Sequence, residues 1–228
     1  MSETTYSQKM LNSINHIKDS IESKGLRKPV ELVAAAKFQS LEKIETAYRL
    51  GIRHFGENRG QEVRDKSDFY TGGDARLSYI GKLQKNKVKY LVGVCDLIQS
   101  IDSVKTAKYV SQRYSREDMN IDILMEINIS GEESKIGIMP DKVRDTVKEL
   151  QTFDSLTVRG IMTIGSLTDD MDIVRNDFRS MNQIFEELSG AFEDVSILSM
   201  GMTDDYEIAL EEGSNMLRIG RLIFGERQ

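Results

Sequence analysis

The chain has no tryptophan, one cysteine, two prolines and two histidines among its 228 residues. Cys95 alone cannot make an intrachain disulfide, so a reducing, cytosolic compartment fits. Set in Leu91-Val92-Gly93-Val94-Cys95, it reads as a small buried apolar residue and not as a reactive thiol. His16 and His54 leave no material for a His-rich metal site and little for a His-based triad. Pro29 and Pro140 mark no domain boundary, and no linker, fixed-period repeat or low-complexity tract is visible. No apolar run approaches the ~20 residues that span a bilayer. The N-terminus, Met1-Ser2-Glu3-Thr4-Thr5-Tyr6, lacks a basic segment followed by an apolar one, so no secretory signal is expected. Positive charge is also short: 31 Lys and Arg stand against 37 Asp and Glu, a formal net charge of −6. Sequence-independent nucleic-acid binding needs clustered Lys and Arg, so it is not expected. The densest basic stretch is Lys82-Leu83-Gln84-Lys85-Asn86-Lys87-Val88-Lys89. It reads first as the solvated start of a helix and second as an anion site.

What the chain does have is alternation. Apolar residues make up 39% and charged residues 30%, enough for one sizeable core under a solvated surface. A helix is predicted over 6–24, with Leu11, Ile14, Ile17 and Ile21 at helical spacing and Gly25 as its C-cap. Strands are predicted over 32–37, 54–57, 77–81, 97–101, 122–128, 157–164, 195–200 and 216–219. Helical patterns lie between them over 41–50, 58–68, 84–92, 103–114, 142–153, 172–188 and 204–212. Strict alternation implies parallel strands with crossover helices. Eight such units suggest a closed (β/α)8 TIM barrel, with an open doubly wound sheet as the alternative. The expectation is one α/β domain over 1–228, with a helix in 1–25 and the barrel in 31–226.

In a barrel, functional groups collect at the C-terminal ends of strands and in the loops that follow. Lys37 closes the run Val33-Ala34-Ala35-Ala36-Lys37, whose small side chains leave room for a ring. A lysine desolvated there attacks a carbonyl as the free amine; a lysine that only snorkels to solvent is the plainer reading of the spacing alone. After the second strand, in Phe55-Gly56-Glu57-Asn58, Asn58 either bonds an aromatic hydroxyl or caps the next helix. The polar stretch Asn128-Ile129-Ser130-Gly131-Glu132-Glu133-Ser134-Lys135-Ile136-Gly137 is long enough for a rim or lid, or is a plain loop. Two segments, Ser199-Met200-Gly201-Met202-Thr203-Asp204 and Arg218-Ile219-Gly220-Arg221, follow strands seven and eight, where barrels hold phosphates. Gly201 and Gly220 let backbone N–H groups approach a phosphate, and Ser199 adds a hydroxyl. Asp204 and Asp205 oppose an anion at the next helix start, so the turn amides form the cup, or the two segments are ordinary Gly turns. Met162, Met200, Met202 and Met216 read as core filler.

These pieces, in this order, resemble the pyridoxal phosphate homeostasis proteins, single-domain relatives of the alanine racemase barrel. The resemblance runs from about residue 31 to 226. It rests on Ala36-Lys37, Phe55-Gly56-Glu57-Asn58 with Gln61-Glu62, Ile80-Gly81-Lys82-Leu83-Gln84-Lys85-Asn86-Lys87, and Asn128-Ile129-Ser130 with Lys135-Ile136-Gly137. Arg159-Gly160-Ile161-Met162, Leu198-Ser199-Met200-Gly201-Met202-Thr203-Asp204 and Arg218-Ile219-Gly220 with Ile223-Phe224-Gly225 complete it. The resemblance implies a fold-type III barrel that binds pyridoxal 5′-phosphate, with Lys37 as the Schiff-base lysine. Ser199, Gly201 and Gly220 match the phosphate cup, with the backbone of Met200 and Arg221 nearby. Arg218 matches the arginine near the pyridine nitrogen, and Asn58 a residue close to the ring. An arginine there disfavours a protonated pyridinium and makes the ring a poorer electron sink. The sequence departs from the family at four places. Tyr79 stands where Phe is frequent, Ser78 and Gln99 where His is common, and Arg221 where Thr is common and would add a hydroxyl contact to the phosphate.

The resemblance therefore implies a cytoplasmic monomer that buffers pyridoxal phosphate and delivers it without robust catalysis. Pyridoxal phosphate-dependent apo-enzymes are the candidate recipients, and neither nucleic acid nor membrane is a partner. True racemases of this fold carry a second domain and a second acid–base residue, whereas this chain ends at Gln228 after the eighth unit. Three alternatives stay open. A racemase-like enzyme would turn over an amino acid, a cofactor-free Schiff-base aldolase would be colourless, and an interaction module would bind no phosphorylated ligand.

Overall fold

The computed structural model describes residues 3–26, 29–132 and 136–226. Glu133, Ser134 and Lys135 of the predicted rim, and the chain ends included in the expected domain, lie outside them. Eight strands form the wall: β1 Glu31–Ala35, β2 His54–Glu57, β3 Arg76–Tyr79, β4 Leu97–Ile101, β5 Ile121–Glu126, β6 Leu156–Met162, β7 Ile197–Ser199 and β8 Met216–Ile219. Each pairs in parallel with the next, and β8 returns to β1 with Glu31 opposite Met216 and Ala34 opposite Ile219. That last pairing closes the barrel and excludes the open sheet.

The helices are α1 Glu3–Ser23, α2 Leu41–Arg49, α3 Gly60–Asp65, α4 Ser67–Thr71, α5 Val104–Ser115, α6 Val143–Leu150, α7 Met171–Ser189, α8 Tyr206–Glu211 and α9 Arg221–Phe224. The main core lies between helices and wall, where Phe55, Ile98, Val110, Ile161 and Phe178 are among the buried residues. A smaller apolar cluster of Val33, Leu97, Leu124, Met162 and Met216 sits apart from it. Ser103 caps α5 by accepting from Thr106 N–H at 3.2 Å, and Asp170 caps α7 by accepting from Asp172 and Ile173.

Several predicted bounds need correction. The expected helix over 58–68 splits into α3 and α4, because Lys66 at φ −116 breaks the run. Arg59, not Asn58, stands at the N-cap, which removes the capping reading of Asn58. The helix expected over 84–92 is a six-residue 3₁₀ turn, Lys85–Tyr90. Pro140 opens a short 3₁₀ turn ahead of α6. The helix expected from 204 begins at Tyr206, and β7 is shorter than predicted. Met202 is exposed, so it is not core filler. The short helix α9 was not anticipated; its Ile223 and Phe224 amides return to Gly220 O at 3.0 and 2.9 Å.

Candidate functional site

Every crossover enters its strand from below, so the C-terminal ends of all eight strands open on one face. A cleft of about 200 Å³ lies there. Lys37, Asn58, Arg218, Gly220 and Arg221 line it, together with Ile164, Met202, Thr203 and Asp204. Five of the eight sequence-predicted site residues thus converge from strands far apart in the chain. Ser199, Met200 and Gly201 do not line it. Ser199 and Met200 are buried beside it. Gly201, at φ 97, is pressed against α8, where a Cβ would fall 2.6 Å from that of Ala209.

Lys37 lies two residues past β1, half-buried. Asn58 is fixed from below: Tyr79 donates its hydroxyl to Asn58 O at 3.0 Å and to Lys82 O at 3.2 Å. Gly81 packs so tightly on Asn58 that a Cβ there would lie 2.2 Å from Asn58 O. Asn58 Oδ1 is buried and has no hydrogen-bond partner. A buried acceptor left unpaired costs about 1–3 kcal/mol, so this one calls for a donor from within the cleft.

Arg218 is the buried charge of the site. Its guanidinium donates to Ser199 Oγ at 2.6 Å and to Thr163 O at 2.8 Å. Burial lowers its pKa to about 10, against the opposing pull of Asp205 and Glu126, so it stays cationic at neutral pH. Glu126, at the end of β5, is pushed up to about 7 by burial and by Asp102, with Arg218 and Lys82 pulling the other way. Burial also raises Asp205, although Met202 N–H donates to it at 2.5 Å. Arg221 pairs with Asp204 across the two loops and lies 3.8 Å from Glu226.

Below Arg218 a run of polar side chains extends to the opposite end of the barrel. Ser199 Oγ donates to Gln99 Oε1 at 2.8 Å, and Gln99 Nε2 donates to Ser78 Oγ at 2.9 Å. Ser78 Oγ is 2.7 Å from His54 Nε2, and His54 Nδ1 is 2.8 Å from Glu31 Oε1, which also accepts from Arg76 at 2.5 Å. A guanidinium only donates, so Ser199 Oγ accepts from Arg218 and turns its own proton to Gln99 Oε1. Ser78 Oγ accepts from Gln99 and meets His54 Nε2, where a hydroxyl can serve as donor or as second acceptor. The sequence reading missed this run because its hydrogen-bonded partners are up to 100 residues apart. The available signal was polar residues inside strands, at two positions already noted as departures, Ser78 and Gln99. The hydroxyl of Tyr79, a third departure, ties the β2 and β3 loops.

Among the described residues, no helix is long and apolar enough to cross a membrane, and no three His, Cys, Asp or Glu side chains gather in a way that could hold a metal. Cys95 is buried, and burial raises its thiol to about 12, which leaves it unreactive.

The profile of the family described as alanine racemase, N-terminal domain, matches residues 5–228. The pyridoxal phosphate homeostasis protein of Pasteurella multocida is 39% identical over 202 residues, covering 87% of each chain. That of Schizosaccharomyces pombe is 36% identical over 214 residues, covering 92% of this chain and 90% of its own. The structure of PipY from Synechococcus elongatus with PLP bound superposes with a TM-score of 0.83 at 27% identity, covering 95% of this chain and all of that one. Alanine racemase of Clostridium difficile shares the fold at a TM-score of 0.72 and 12% identity, with 95% of this chain matching 56% of the racemase.

Proposed function

The chain belongs to the alanine racemase N-terminal-domain family and, within it, to the pyridoxal phosphate homeostasis proteins, and from that premise we propose that it binds pyridoxal 5′-phosphate through Lys37 and takes part in its homeostasis. The carrying observation is the convergence on one cleft of an amine, an unpaired buried acceptor and a buried guanidinium. Bound there, the cofactor supplies an aldehyde that condenses with an amine, releasing water. Lys37 brings that amine to the cleft from the end of β1. Asn58 Oδ1 offers the acceptor for a ring hydroxyl, the donor it lacks. Arg218 meets the ring nitrogen as a fixed cation and disfavours its protonation, which suits holding the group better than driving carbanion chemistry.

The phosphate is held where the β7 and β8 loops meet. Gly220 opens α9, whose first amides have no acceptor within the helix, and Arg221, paired with Asp204, flanks them. Ser199, Met200 and Gly201 act from behind: Ser199 braces Arg218, Met200 N–H bonds Met216 O at 3.2 Å, and Gly201 sets the turn. One domain spanning 1–228, a monomeric state, a cytoplasmic setting, handover to pyridoxal phosphate-dependent apo-enzymes and the absence of robust turnover complete the proposal. The curated relatives' names, homeostasis proteins, support that non-catalytic emphasis.

The test is an absorbance spectrum of the purified chain with and without borohydride, followed by mass spectrometry. A pyridoxyl group fixed on Lys37 and lost in Lys37→Ala is the expected outcome. A colourless protein, or a label on another residue, overturns it.

A further inference from the structure

Arg218 hangs from two anchors of different kinds. Its Nη2 donates to Thr163 O at 2.8 Å, a carbonyl held by the barrel wall, since Thr163 N–H bonds Ser199 O at 3.1 Å. Its Nη1 donates to Ser199 Oγ at 2.6 Å, and a hydroxyl rotates unless something holds its proton. Gln99 is that holder: its Oε1 takes the Ser199 proton at 2.8 Å. The amide end of Gln99 is fixed in turn. Its Nε2 donates to Ser78 Oγ at 2.9 Å and lies 3.2 Å from Met216 Sδ. Turned over, the amide would aim its oxygen at a thioether that has no proton to give. Its NH2 would meet a Ser199 oxygen that already accepts from Arg218, and the Ser199 proton would lose its acceptor.

The backbone of β4 is shaped for this reach. Ile98 pairs with Ile123 and Ile101 with Met125, so β4 carries one residue more than β5 between those pairs. A bulge of this kind re-aims side chains and is frequent beside functional sites. This one contains Gln99 and Ser100, both buried, and the Ser100 hydroxyl reaches Gly81 O at 2.6 Å. We infer that Gln99 is a positioning residue for Arg218: set in the β4 bulge, it holds the Ser199 hydroxyl with its oxygen toward the guanidinium and so fixes where that cation stands in the cleft. Gln99 does not line the cleft, whereas Arg218 does, so Gln99 acts only through Ser199 and Arg218. Ser78 and Met216 keep its amide from turning over. What Arg218 does to a bound ring rests on the function proposed above; the positioning of the guanidinium does not.

The experiment has a cofactor-free arm and a loaded arm. In the chain without cofactor, magnetic resonance of the guanidinium nitrogens reports how fast the Arg218 group rotates, its signals being assigned by their loss in Arg218→Lys. Gln99→Leu should speed that rotation about tenfold, because the hydroxyl under the guanidinium is no longer held. Gln99→His should restore a rate close to wild type, since a neutral imidazole keeps one acceptor and one donor. Ser78→Ala leaves the acceptor but frees the amide to turn, and should act in the same direction with a smaller effect. In the chain loaded with pyridoxal phosphate, release of the ligand should quicken most in Gln99→Leu, less in Ser78→Ala and least in Gln99→His. A Gln99→Leu chain that is less stable to urea, yet rotates and releases as wild type does, overturns the inference, because the side chain is then packing only. So does a Gln99→His chain as fast as Gln99→Leu. Should Gln99→Leu fail to fold, Ser78→Ala decides: faster rotation supports the inference, and the wild-type rate overturns it. If no chain, wild type included, takes up pyridoxal phosphate, the function proposed above fails, and the rotation rates still decide the role of Gln99.

Discussion

On the β1–β3 side of the barrel mouth the polar groups around Lys37 and Asn58 are tied down; on the β6–α7 side large apolar side chains stand in water. Tyr79 holds the β2 and β3 loops through two carbonyls, Ser100 Oγ donates to Gly81 O at 2.6 Å, and Glu62 holds the turn after Lys37. Across the mouth, Ile164, Met171, Ile173 and Met202 are exposed to about the degree that Phe38 and Leu41 are beside Lys37, and Leu167 alone stands 98% exposed. There the loop after β6 is fastened at Ser166, whose N–H and hydroxyl both donate to Asp177. Holding an amine in place and letting a ligand in and out place opposite demands on packing. The first side is the fixed wall, on which the proposed Lys37 chemistry stands; the second, with Leu167 in water, is the loose wall.

The sharpest way to stress the fixed wall is pH. Glu57 has its carboxyl raised from 4.5 to about 7 in the folded chain. The folded state therefore holds this proton more tightly than the unfolded one. The stability it contributes is complete below about pH 4.5 and is lost as pH rises to about 7. The gap corresponds to roughly 3 kcal/mol. Denaturant midpoints should fall across that window, and Glu57→Gln should flatten the fall. Part of the decline should persist in the variant, because Glu126 is raised to about 7 as well.

Gly81→Ala strikes the same wall through sterics. Its Cβ would meet the Asn58 backbone at 2.2 Å, and backbone cannot rotate away as a side chain does. A loss of about 2–3 kcal/mol is expected from urea unfolding. The displaced Asn58 should also weaken retention of pyridoxal phosphate more than it weakens the fold. Tyr79→Phe removes two hydrogen bonds from one hydroxyl and leaves the ring in place. Its cost should be near 1 kcal/mol, read from the same unfolding curves.

The fold was readable because most strands are short runs rich in apolar residues that alternate with helical patterns, and the predicted bounds of β2, β4 and β8 match those observed. The cleft residues Lys37, Asn58, Arg218, Gly220 and Arg221 were readable because strand ends are where a barrel opens. The inward run from Arg218 to Glu31 was not, since sequence spacing does not show that Ser199 and Gln99 meet across the interior. The break at Lys66 was invisible for a related reason. Charge spacing suits one continuous helix over 58–68, but a buried ion pair with Glu57 turns Lys66 inward. The direction of the Ser199 hydroxyl likewise depends on Arg218, a donor nineteen residues on.

The smallest effect should come from the loose wall, and its smallness is the point. Leu167→Ser removes a large apolar side chain, a change that in the core costs several kcal/mol. Leu167 is 98% exposed, so it buries almost nothing that the substitution can uncover. The unfolding midpoint should stay within about 0.5 kcal/mol of wild type. Leu77, in β3 and fully buried, provides the matched control: Leu77→Ala should cost about 2–5 kcal/mol in the same assay. Equal losses at the two sites would mean that the β6–α7 loop is packed in solution, and the contrast between the walls would then be lost.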